Sequence, residues 1–143
     1  MGQSSITDFD LAFNNIAIAV KDIKTAVKWY GDVLGFELVS ETYFEPIEAN
    51  IAFISRPGLS LELVNPKSVE TVPELLVDPP AHVGFAGYKA IVFDVDDLAG
   101  FTQHLRSHEV TILWAEQALN DEGLKSTLFR DFDGNLINVF NRT

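Results

Sequence analysis

The stretch "RDFDGNLINVFN", residues 130–141, carries Asn138 between Ile137 and Val139, an amide set into an apolar ladder. An amide both donates and accepts, so here it suits either orienting a ligand's polar atoms or satisfying a neighbouring carboxylate. His104 and His108 offer a different chemistry, because they stand at the helical spacing that lets two imidazoles share a metal. No HExxH glutamate accompanies them and "TQHLRSHE" is polar, so a solvated helix end is the expected setting. His82, beside Pro80 and Ala81, is read as a surface-loop residue. Lys125 and Arg130 would suit an anionic ligand but are expected to be ordinary strand-edge charges. Asp131 and Asp133 flank a tight turn and are expected to serve it through side-chain-to-backbone bonds. The sequence holds no GxSxG elbow, no P-loop and no GxGxxG after a strand.

Composition removes further classes. Ten Lys and Arg against 21 Asp and Glu give a formal charge of −11, and the basic residues are scattered. Phosphate neutralisation needs them clustered, so no nucleic-acid partner is expected. The chain has no Cys, which excludes disulfides, thiolate ligands and thiol nucleophiles. No apolar run approaches the roughly 20 residues of a membrane span, so no membrane partner is expected. The opening "MGQSSITDFDLAF" lacks a basic flank followed by an apolar stretch, and a cytoplasmic location is the expectation. The 143 residues suit a single domain, 1–143, with 47% hydrophobic content to fill its core.

The elements that position these groups come in two similar sets. "IAIAVKD" at 16–22 and "IVFDVDD" at 91–97 alternate bulky apolar residues and end in Asp, the pattern of a half-buried strand. Asp22 and Asp97 then stand where helix N-caps belong. After Asp22, Ile23, Ala26, Val27, Tyr30, Val33 and Leu34 recur at helical spacing, and Gly35 is a natural stop. After Asp97, Leu98, Phe101 and Leu105 form a narrower stripe. Three strand-like pieces follow each helix, the last of each set entered through a glycine turn, "RPGLS" or "DFDGN". Equivalent positions lie about 75 residues apart, with Ile16 matching Ile91 and Glu62 matching Asn138. An α+β fold of two βαβββ modules is therefore expected, with an ordinary ferredoxin-like α+β sandwich as the alternative: module one at about 14–64, a Pro-rich linker at 65–88, and module two at about 89–141.

The chain resembles the vicinal oxygen chelate superfamily, which includes glyoxalase I, bleomycin-resistance proteins and extradiol dioxygenases. The likeness is carried by "IAIAVKDIKTAVKWYGDVLGF" at 16–36, "GLSLELV" at 58–64, "AIVFDVDDL" at 90–98 and "FRDFDGNLINVF" at 129–140, in that order. It implies incurved mixed sheets around a shared cavity, and homodimers. It also implies, for the metal enzymes of the family, four side chains that hold a divalent cation. Those four positions fall here on Asn15, Glu62, Ala90 and Asn138.

Strand alternation gives the same facings independently. If Ile16 and Ile18 face a helix, Asn15, Ala17 and Ala19 face away, as do Glu62, Ala90, Val92, Asn138 and Phe140 in their strands. Only Glu62 of the four is a good ligand; first-row divalent ions take imidazole, thiolate or carboxylate donors, an amide is a poor one and a methyl none. No cofactor is expected, and a divalent metal would find at best a weak oxygen-only site. The expected site is a ligand pocket of Asn15, Glu62, Ala90, Asn138, Phe140 and Trp114. Glu62 is its candidate catalytic base, the two amides orient a ligand or bond Glu62 and each other, and the two aromatics stack on a flat molecule. Three functions remain open: a metal-free small-molecule binding protein, a lyase or isomerase of the glyoxalase type using Glu62, and a scaffold whose interface is its purpose.

Overall fold

A computed structural model describes residues 2–142. Module one runs β1 (Ile16–Ala19), α1 (Ile23–Leu34), β2 (Glu37–Phe44), β3 (Ala49–Arg56) and β4 (Leu59–Pro66). A linker with two short 3-10 turns, Pro73–Leu76 and Ala81–Gly84, leads to module two. That module repeats the order as β5 (Ala90–Val95), α2 (Leu98–Ser107), β6 (Ile112–Ala118), β7 (Lys125–Arg130) and β8 (Leu136–Asn141). The sheets are ordered β1-β4-β3-β2 and β5-β8-β7-β6, each with one parallel pair at its free end. This is the expected α+β architecture of paired βαβββ units. Among the described residues no helix is long and apolar enough to cross a membrane.

The repeat extends to strand register. Ala17 pairs with Glu62 in β1 and β4, and Val92 pairs with Asn138 in β5 and β8. The equivalence of Glu62 and Asn138 is thus structural, although their chemistry differs.

Local chemistry explains the helices. Asp22 accepts the backbone N–H of Thr25 at 2.9 Å, and Asp97 accepts that of Gly100 at 2.9 Å. These bonds satisfy donors that the first helical turn leaves without a partner. The Thr25 bonds hold the Asp22 carboxyl below its ordinary range. α1 ends where Gly35 takes the left-handed conformation at φ 75°, which costs glycine little. Asp97→Ala should lower stability by about 1 kcal/mol. Chemical denaturation would show this as a lower midpoint with an unchanged slope.

The apolar faces of both modules join in one core. Leu61, Leu63, Phe129 and Ile137 are fully buried, and they share a cluster with Tyr30 and Leu34 of α1 and Leu105 of α2. Burying each such side chain contributes roughly 1.5–3 kcal/mol, so neither module is left to stand alone. Two hydrogen bonds reinforce the join. The Tyr30 hydroxyl donates to Asp131 at 2.6 Å, and His104 Nε2 meets the Val33 carbonyl at 2.9 Å.

Candidate functional site

β1 and β5 each pair on one side only, with β4 and β8 respectively. A cleft of about 800 Å³ follows the unpaired edge of β1. Its lining includes every residue from Asn15 to Ala19, whose side chains alternate in direction; only a groove along a strand edge can touch them all. The opposite walls are the start of β5 at Lys89–Ile91, linker residues 69–72 with Leu75, and Asp133, Asn135 and Leu136 around the β7–β8 turn. Most of the surface is apolar, supplied by residues such as Phe13, Val72, Leu75 and Leu136, with a few polar groups among them. That mixture, an apolar cleft with sparse fixed polar atoms, is the usual character of a small-molecule site. A second hollow of about 660 Å³ follows the edge of β5 and carries Arg56 and Arg142.

Of the residues singled out in the sequence, Asn15 and Ala90 line the cleft. Glu62 is half-buried one strand behind Ala17, its register partner, and shares that residue's face of the sheet. Asn138 lies one strand behind Val92. Trp114 donates its indole N–H to Ser126 at 2.8 Å, and Ser126 pairs with Phe140, so the two aromatics gather on module two around that serine. Glu62, Asn138, Phe140 and Trp114 do not line the cleft itself. The amide–carboxylate network expected among Asn15, Glu62 and Asn138 is not formed. Asn15 donates instead to Asn14 at 2.7 Å, and the buried Oδ1 of Asn138 has no partner among the described residues. Glu62 and Asn138 stand on interior strands of two different sheets, and Asn15 lies just before the edge strand β1, so shared facing does not join them by hydrogen bonds.

The donor set does not suit a divalent ion. Asn15 is engaged with Asn14, Ala90 offers a methyl, and among the described residues no three His, Asp or Glu side chains gather. Glu62 alone would supply a strong donor.

The β7–β8 turn has a larger part than the sequence suggested. Arg130 is 9% exposed, which corrects its reading as a strand-edge charge. Asp131, 6% exposed, does bond its own turn, accepting from the N–H groups of Asp133 and Asn135 and from the Asn135 amide. It also takes the Tyr30 hydroxyl from module one. Asp133 accepts the Lys21 N–H at 3.1 Å, a further tie between modules, and burial pushes its carboxyl above the ordinary range against that bond. The turn was legible as "DFDGN"; what packs on it was not.

The histidines divide. His108 is exposed at the end of α2 as expected, whereas His104 is half-buried against Val33. His82 is half-buried, with its Nδ1 buried and unpartnered among the described residues, so it is not a plain surface residue.

Comparison with known proteins follows the same lines. A glyoxalase family protein from Enterococcus faecalis superposes with a TM-score of 0.75 at 17% identity, covering 90% of this chain and 96% of that one. The fosfomycin resistance protein FosX from Listeria monocytogenes superposes with a TM-score of 0.69 at 16% identity, over 92% and 94% of the two chains. The trypanothione-dependent glyoxalase I of Leishmania major gives a TM-score of 0.65 at 21% identity, over 89% and 84%. No curated protein matches in sequence. These likenesses establish the fold. The family model for the Glyoxalase/Bleomycin resistance protein/Dioxygenase superfamily matches residues 12–139, and the chain belongs to that superfamily.

Proposed function

We propose that this protein binds a small molecule in the cleft between its modules without using the family's metal chemistry. One observation carries the reading: a cleft of about 800 Å³, walled mainly by apolar side chains, is lined by Asn15 and Ala90, two of the four positions that the resemblance implies as ligands. The methyl groups of Ala17, Ala19 and Ala90 leave room along its edges. Bound ligand would gain from apolar burial, while Asn15, Asp133 and Asn135 would fix its orientation.

A fragment panel that includes indole, titrated by NMR into chelator-treated protein, tests this. Shifts should concentrate on Ala17, Ala19, Ala90 and Leu75 and survive metal removal. Binding that disappears on chelation and returns with a divalent ion would overturn the proposal.

A lyase or isomerase of the glyoxalase type is the second reading, favoured by the half-burial of Glu62 beside Ala17. Glu62 would take a proton from an acidic C–H while the amides hold the substrate's oxygens. Under the binding reading, Glu62→Gln should alter fragment affinity by less than about threefold, since Glu62 stands one strand behind Ala17 and does not line the cleft. Under the enzyme reading, the same change should reduce turnover by about 10²–10⁴.

A further inference from the structure

Linker residues 69–72 and Leu75 form one wall of the cleft, yet this segment belongs to neither sheet. Among the described residues, every hydrogen bond from segment 69–78 to the rest of the chain is made by Arg130. Its Nη1 donates to the Leu75 carbonyl at 3.0 Å, and its Nη2 reaches the Val77 carbonyl at 3.5 Å and Asp78 Oδ1 at 3.1 Å. The same Nη1 donates to the Gly134 carbonyl at 2.7 Å, so the guanidinium ties linker and β7–β8 turn together. Packing repeats the tie, because a Cβ added at Gly134 would meet Leu76 Cδ2 at 3.0 Å. The turn so fastened is also the one that holds Tyr30 and Lys21 of module one and presents Asp133 and Asn135 to the cleft.

We infer that Arg130 is a positioning residue: by clamping the linker through Leu75, Val77 and Asp78 it sets the wall, and hence the width, of the ligand cleft. This rests on the cleft being the binding site. A planar, always-charged group suits the task, since several donors in a fixed fork can hold carbonyls that one ammonium could not. Burial strengthens each bond and makes its loss costly.

The experiment compares wild type with Arg130→Met, Arg130→Lys and, as a control of lowered stability distant from the cleft, Asp97→Ala. Hydrogen exchange is followed in peptides spanning 69–78, and indole binding is followed by NMR. Arg130→Met should speed exchange in 69–78 by about tenfold or more and weaken indole by about tenfold, the scale of one lost charged hydrogen bond. Arg130→Lys should fall between, and Asp97→Ala should match wild type in both readouts. If Arg130→Met does not fold, Arg130→Lys supplies the test, since it keeps a charge beside the turn but cannot hold the Leu75 and Val77 carbonyls and Asp78 together; it too should loosen 69–78. Unchanged exchange in 69–78 across these variants overturns the inference, as does indole binding equally well to wild type and Arg130→Met. Indole failing to bind wild type counts against the cleft as a ligand site, and the exchange result then decides the clamp by itself.

Discussion

Asp131→Ala should destabilise the protein by about 4 kcal/mol and lower the melting temperature by roughly 12 °C. The carboxylate accepts four hydrogen bonds, from the Tyr30 hydroxyl, the Asp133 and Asn135 N–H groups and the Asn135 side-chain amide. Removing it strands a buried hydroxyl and releases the turn, and an unpaired buried donor costs more than a made bond contributes. Differential scanning calorimetry measures the loss. A fall of under about 1 kcal/mol, the size of a surface change, would mean that the turn is held by other contacts.

The same pair sets an alkaline limit. Tyr30 ionises well above its ordinary 10.0, chiefly through burial and then through the charge and hydrogen bond of Asp131. The unfolded chain therefore loses the tyrosine proton before the folded one does. The associated stabilisation is complete below pH 10.0 and is lost as pH rises through the folded value. Tyr30→Phe should flatten that alkaline decline in denaturation midpoints while lowering stability at neutral pH.

The second large effect concerns binding. Ala17→Trp should weaken fragment binding by about a hundredfold or more while moving stability by no more than about 0.5 kcal/mol. Ala17 is exposed on β1 and lines the cleft, and its backbone keeps the same partner, Glu62, whatever the side chain. An indole ring there would occupy the volume that a ligand needs. Titration by NMR beside a thermal melt separates the two outcomes. Undiminished binding to a well-folded Ala17→Trp would place the ligand elsewhere, with the hollow along β5 the next to test.

How much of this could be read in the chain varies with the range of the interaction. The Asp22 and Asp97 caps, the Gly35 stop and the alternation of Ile16 and Ile18 with Ala17 and Ala19 are local, and each stands in the structure as its neighbours in sequence dictate. The pairing of Glu62 and Asn138 as equivalents was legible because a repeated pattern of strands forces a repeated register. Facing, however, is not contact. Asn15 bonds Asn14, its immediate neighbour, and strand order decides that Glu62 and Asn138, one strand behind β1 and β5, stay out of the cleft wall.

The sequence by itself determined the order of strands and helices and, within a few residues, their extent (β4 runs on to Pro66, past the expected end at about 64), because backbone preference and apolar periodicity act locally. The resemblance implied four ligand positions, and the sequence puts one carboxylate, two amides and a methyl at them. Only the tertiary structure decided the burial and partners of Arg130 and the bond of Asp131 to Tyr30. Tyr30 and Asp131 stand 101 residues apart, and Lys21 and Asp133 stand 112 apart. Such partners meet only after two sheets pack on one core, and no local pattern records which polar group will be waiting when they do.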